Sequence, residues 1–446
     1  NNDKVENDYS ILSPHLTLEL FDGILLSTRT NNDHDLQINL AFNFGRHTMY
    51  APASSNSTNG YSSGIGFYNY KNQQKSIFKK KSIGTKQYVR MKLSGLFIEE
   101  KPFKKSFSFN SSFNPFIGKS EKGIQLRRWI EKIEKLAEDV DVDGIIIDMG
   151  FIRAGMAKRL EIRDALMRFQ NNNKEIIVYA NKGITNKDYF LIAMADKIFI
   201  NAMGEVHLAG LRMQIPFIRG LLDTLYIVPE VFRVNSDGKS YKTAADPIIN
   251  RKMSSEMREN YGDLLNDWYD LFIEGVSLRY NGNITKTEEI IDSGPYLLDT
   301  DVINAGLADS IMYPDQFDDY INALNDKKVK IIKWNSIDFS DFYVHEWAPE
   351  KKEKIAVIYA VGDIMSGKSN PGPAGSSIMG DETISKAIKD AREDKDIKAI
   401  VLRIDSGGGS ALASDQMWRE VKKTTEEDTT HIKPFIASMS DIAGSG

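Results

Sequence analysis

The chain has 446 residues, 57 lysines and arginines against 62 aspartates and glutamates, a net charge of −5, and no cysteine. That balance excludes a broad phosphate-neutralising surface, so nucleic acid is not an expected partner. The absence of cysteine excludes disulfides, thiolate catalysis and cysteine-ligated zinc, and leaves the compartment open.

At this length two or three domains are expected. No run approaches the roughly 20 apolar residues of a membrane-spanning helix. The chain opens at Asn1 without an initiator Met and stops at Gly446 in a small-residue run after a strand pattern. It therefore reads as a fragment, with room for a leader or anchor upstream.

Residues 1–86 read as a β-rich N-terminal segment. Leu36, Ile38, Leu40, Phe42 and Phe44 alternate with Gln37, Asn39, Ala41 and Asn43, a period of two that puts the large apolar groups on one face of a strand. Leu16, Leu18 and Leu20 begin a similar run. A small antiparallel sandwich and the last strands of an outer-membrane β-barrel share this signature.

From Tyr88 the pattern changes to alternating strands and amphipathic helices. A strand over Tyr88–Ile98 leads through a Lys/Phe/Ser-rich loop to a helix over Ile124–Glu138. An apolar strand follows from Gly144, then a helix around Lys158–Phe169 and a strand from Ile176. This is βαβ order and implies a parallel, buried sheet. A first α/β domain spans 87–330 and a linker 331–353. The order then restarts over 354–446: KIAVIYAVGDI from Lys354, a helix and strand ending at Asp405, and a strand from Lys433. Asp405 lies 257 residues after Asp148 (405 − 148) and Lys433 lies 259 after Lys174 (433 − 174). A near-constant offset argues for two tandem copies of one domain, the second incomplete.

Two features of the second copy suit acyl transfer. Ser406-Gly407-Gly408-Gly409-Ser410 directly follows a parallel strand, and glycines there let backbone N–H groups approach an anion closely. Alone, such a turn is equally a plain turn or a nucleotide site, although neither GxxxxGKS/T nor GxGxxG is completed. The next strand runs into Asp441-Ile442-Ala443-Gly444-Ser445-Gly446, where the serine is either structural or held on a tight turn at the sheet's carboxyl edge. The six histidines, His15, His34, His47, His207, His345 and His431, show no metal-ligand spacing.

KAIVLRIDSGGGSALASD (Lys398–Asp415), then KPFIASMSDIAGSG, and in the first copy VFRVNSDGKSYKTAADPIINRKMS (Val231–Ser254) together resemble the signal peptide peptidase A, or protease IV, family in its long tandem form. The resemblance covers roughly residues 88–446. It implies tandem crotonase/Clp-protease-like domains of stacked ββα units, an α/β fold, assembled into homo-oligomeric rings. It also implies a Ser/Lys dyad split between the two halves, with Ser445 as nucleophile, Lys242 as general base, the N–H groups of Gly408 and Gly409 as oxyanion hole, and Thr243 in a position to orient the lysine. Substrates would be cleaved signal peptides or other membrane-associated peptides with small or apolar side chains at the cut. The resemblance implies membrane association with the active domains on the extracytoplasmic, periplasmic side, and no cofactor or metal. Chemistry makes a lysine base workable once burial lowers its pKa from about 10.4 to about 7–8.

The turn departs from the family's Ser-Pro-Gly-Gly in having Gly407. The first-copy position matching the serine falls at Asn186 or Lys187, so the first copy is expected to supply Lys242 and no nucleophile. The sequence stops one residue after Ser445, so the fragment as given is expected to be inactive. Two rival readings are a crotonase-type acyl-CoA enzyme, which would need neither dyad residue, and a non-catalytic membrane-associated scaffold.

Overall fold

A computed structural model describes residues 14–30, 35–55, 60–70, 74–77, 84–100, 123–233, 240–326, 328–340, 352–372 and 377–445. The Lys/Phe/Ser-rich loop at 101–122, residues 341–351 of the expected linker, residues 234–239 of the lysine segment, and Gly446 lie outside the described residues. The chain divides into two compact units, one of residues 1–87 with 335–352 and one of residues 88–334 with 353–446.

In the first unit, β1 (His15–Phe21), β2 (Ile24–Thr30), β3 (Leu36–Phe44), β4 (His47–Ser55), β5 (Tyr61–Ser63) and β6 (Gly66–Asn69) form a single antiparallel sheet. The period-two pattern thus becomes paired strands, in one sheet rather than two packed ones among the described residues. Register aligns Leu16, Thr28, Ile38 and Ala53 in one row and Leu18, Leu26, Leu40 and Ala51 in another. One face is therefore apolar, yet Leu16, Leu18, Leu20, Leu36 and Ile38 are 41–50 % exposed.

The second unit opens with β7 (Lys86–Ile98), β8 (Ile124–Gln125), α1 (Leu126–Glu138), β9 (Gly144–Arg153), α2 (Met156–Asn171), β10 (Glu175–Ala180), β11 (Ile184–Thr185), α3 (Asn186–Ile192), β12 (Lys197–Ile200) and β13 (Val206–His207). Helices dominate next: α4 (Arg219–Thr224), α5 (Asp246–Ile249), α6 (Ser255–Ser277), α7 (Ile284–Asp292) and α8 (Asp299–Asn304), then β14 (Ser310–Ile311), α9 (Pro314–Asp326) and β15 (Val329–Lys333). The main sheet runs β14-β12-β10-β9-β7-β15, with β7, β9, β10, β12 and β14 parallel. Central β9 buries Ile145, Ile146 and Ile147 completely, as a strand covered on both faces must. Helix α1 buries Leu126, Trp129, Ile133 and Leu136 at helical spacing. β15 pairs beside β7, so residues 331–333, at the start of the segment read as a linker, are a sheet edge.

The last stretch holds β16 (Lys354–Val361), β17 (Asp363–Met365), β18 (Asn370–Pro371), β19 (Ser377–Gly380), α10 (Asp381–Glu393), β20 (Ile397–Gly408), α11 (Ala411–Lys422) and β21 (Phe435–Ser445). β16, β20 and β21 form a parallel sheet in that order. Its core is Ile358, Ala360, Ile364, Met379, Ile384, Ile388, Ala391, Ile400 and Ala413. A shared detail links this stretch to the earlier one. Lys174 Nζ donates to the carbonyls of Leu136 and Asp139 at 2.5 and 2.6 Å, closing the end of α1. Lys433 Nζ does the same for α10 through Ala391 and Asp394 at 2.8 and 2.5 Å. Each cation satisfies carbonyls at the negative end of a helix.

Candidate active site

β20 continues past Asp405 to Gly408, and β21 runs to Ser445, with Ser406 opposite Ala443 and Gly408 opposite Ser445. The backbones meet too closely for side chains. A Cβ on Gly408 would lie 1.3 Å from the Ser445 carbonyl oxygen, and one on Gly444 would lie 2.7 Å from that of Gly407. Gly408 also has φ +102°, a conformation that favours glycine. Ser406 is buried; its Oγ–H donates to the Gly362 carbonyl at 2.6 Å, and its Oγ accepts the Gly408 N–H at 3.1 Å. The Gly409 N–H donates to the Ser445 carbonyl at 3.1 Å, and Ser410 caps α11 by accepting the Ala413 N–H at 3.3 Å. Ser445 is thus an exposed residue beside the two glycines, at the end of an extended strand rather than on the tight turn the sequence suggests. Both glycine N–H groups already carry hydrogen bonds within the chain.

Lys242 lies in the irregular segment 240–245 ahead of α5, with its side chain exposed and Thr243 buried beside it. Asp246, fully buried, anchors the segment. It accepts Arg233 Nη1 at 2.8 Å and the Ser254 hydroxyl at 2.5 Å, and its own N–H donates to the Thr243 carbonyl at 3.0 Å. Ser254 also caps α6 by accepting the Met257 N–H at 3.2 Å. The hydrogen bonds of Lys242 and Ser445 run through their carbonyls to Arg233 and Gly409, and among the described residues none joins the two side chains. Asn186, one of the two positions set against Ser445 in the first copy, holds both backbone groups of Ala209 through its amide at 2.8 and 2.9 Å.

The sequence reading missed a buried ion cluster next to the serine strand. Lys158, in the first turn of α2 and 5 % exposed, donates to Asp405 Oδ2 at 2.6 Å and Asp441 Oδ2 at 2.8 Å. Asp441 also accepts the N–H groups of Gly155 and Lys158 at 2.8 and 3.2 Å, so it caps α2 from 283 residues away in sequence. Burial works to lower the Lys158 pKa, but hydrogen bonds and charge from Asp405 and Asp441 outweigh it and hold the ammonium above its ordinary value. Burial likewise works to raise Asp441, and Lys158 with the helix N–H groups holds it below the usual range. Lys158 is therefore a locked cation and no proton acceptor. Beside it, Arg403 joins Glu99 at 2.8 Å and Glu161 at 2.5 Å. A lysine starting an amphipathic helix reads as solvent-facing, and only the distant aspartates reveal otherwise.

A strand-turn-helix with glycine N–H groups thus lies beside an exposed serine, and a lysine segment lies on another element. The chain matches the profile of peptidase family S49 over residues 168–330. It is 32 % identical over 333 residues to the chloroplastic serine protease SPPA of Arabidopsis thaliana, covering 73 % of this chain and 46 % of the relative. It is 29 % identical to protease 4 of Haemophilus influenzae (70 % of this chain, 51 % of the relative) and 29 % identical to protease 4 of Salmonella typhi (71 % and 50 %). The chain spans about half the length of the curated relatives it matches.

Proposed function

We propose that the protein is a serine endopeptidase in which Ser445 attacks the peptide carbonyl and Lys242 accepts the serine proton. The N–H groups of Gly408 and Gly409 then receive the oxyanion. The observation that carries this reading is the register that sets Ser445 against Gly408. In the reactive arrangement the last residue of β21 turns away from Gly409 and frees that N–H, now bonded to the Ser445 carbonyl, and the Gly408 N–H gives up its bond to Ser406 Oγ, so that both meet the developing charge. Lys242 must meanwhile leave water to act as a base near neutral pH, which calls for docking of its exposed segment near Ser445 within the chain or across subunits of a ring. Thr243 and Asp246 hold that segment's backbone.

The two stretches that share one element order and one lysine-to-carbonyl brace support a tandem arrangement of crotonase/Clp-like domains. Family likeness supports cleaved signal peptides or other membrane-associated peptides as substrates, on the extracytoplasmic side. The apolar, exposed sheet face of the first unit supports membrane association, although no described helix is long and apolar enough to cross a bilayer.

The test is hydrolysis of an apolar peptide ester by the full-length protein, Ser445→Ala and Lys242→Met. Loss of turnover by about 1,000-fold or more in both variants, with assembly unchanged, is expected. Variants that cleave as well as the parent would remove the dyad and bring the acyl-CoA and scaffold readings forward.

A further inference from the structure

The pairing of β20 with β21 changes register just before Ser445. Ile404 faces Met439, an offset of 35 (439 − 404), whereas Gly408 faces Ser445, an offset of 37 (445 − 408). Two extra residues enter β21 between those points, so that Ser440, Asp441 and Ile442 stand against Asp405 alone. Such a bulge bends a strand and re-aims the residues beyond it. Without it, Gly408 would face Ala443, and Ser445 would sit opposite Ser410, about 7 Å further along.

Each bulge residue is tied down. Ser440 donates its hydroxyl to Glu99 Oε1 at 2.5 Å, Asp441 takes the Lys158 ammonium and two N–H groups at the start of α2, and the Ile442 N–H donates to Asp405 Oδ1 at 3.2 Å. Lys158 is the common member, since Asp405 and Asp441 both hold its Nζ. With the ammonium removed, two largely buried carboxylates would face each other without a counter-charge, so that one must take up a proton or the two must move apart. β21 ends the order β16-β20-β21 among the described residues, so it is the strand that can move away.

We infer that Lys158 is a positioning residue that sets the register of β21 from α2 and thereby holds Ser445 against the glycine turn. Its effect on hydrolysis rests on the reading of Ser445 as nucleophile; its effect on register does not. The experiment compares the full-length protein with Lys158→Met, Lys158→Arg and the double variant Lys158→Met/Asp441→Asn, by peptide-ester kinetics and by hydrogen exchange of the peptide covering 435–445. Lys158→Met is expected to lower kcat about 100-fold, as a misplaced nucleophile does, with KM within about twofold. Exchange at 440–445 should rise about tenfold or more while that of 144–180 is unchanged. Lys158→Arg keeps a cation between the carboxylates, and the double variant removes their repulsion, so both should recover a large part of the loss. Unchanged kcat and exchange in Lys158→Met would overturn the inference, as would an exchange increase spread evenly over the whole of 144–445. Should Ser445→Ala cleave as well as the parent, the nucleophile assignment falls, and the exchange measurement alone decides the register.

Discussion

Gly408 is the residue at which the candidate site has least room. Gly408→Ala would push a methyl group into the Ser445 carbonyl; a loss of about 1–3 kcal/mol is expected, measured by denaturant unfolding, together with loss of hydrolysis. Nothing lies within 4 Å of a Cβ on neighbouring Gly407, so Gly407→Ala should stay within about 0.5 kcal/mol in the same assay. The glycine turn and Ser445 were legible in the sequence as short local patterns, and the lysine segment through its resemblance to the family's. Asp246, Lys158 and Asp441 were not. The carboxylate of Asp246 matters through Arg233 and Ser254, and Lys158 and Asp441 matter through each other across 283 residues, a pairing that no local pattern encodes.

At the scale of elements, periodicity located β7, α1, β9, α2 and β10 because each buries one face or both against its neighbours. It failed at the start of α2, where Lys158, Arg159 and Arg163 are buried. Arg159 accounts for part of this, spending its guanidinium on the carbonyls of Ile152, Ala154 and Lys187 and on Asp188. The contact between α2 and β21 has a definite pH window. Asp441 is depressed in the folded chain, so its contribution is complete above its unfolded value near 3.8 and is lost as pH falls through the lower folded value. Lys158 is raised, so its contribution is complete below 10.5 and is lost as pH rises through the higher folded value. Protection of 440–445 from hydrogen exchange, corrected for the intrinsic pH dependence of exchange, should therefore be level between about pH 5 and 9. It should fall at both extremes, and Asp441→Asn should abolish the acid limb.

For the whole molecule, the sequence disclosed an N-terminal β segment and an α/β remainder. It did not disclose that β15 belongs to the sheet rather than to a linker, since Val329–Lys333 is short and mixes lysines with apolar residues. The apolar face of the β1–β6 sheet gives a separate prediction: Leu18→Glu with Ile38→Glu should reduce binding to phosphatidylglycerol vesicles about tenfold or more in a flotation assay, with ester hydrolysis unaffected. The cap that Asp441 places on α2 also bears on synthesis. Lys158 leaves the ribosome 287 residues ahead of Ser445 (445 − 158), an interval of roughly 15–60 s. Strand β21 therefore emerges onto a template that has had time to fold, and a nascent chain whose α2 is misfolded lacks the surface on which Ser445 acquires its place. The placing of Ser445 is in this way deferred until the earlier half of the chain has folded.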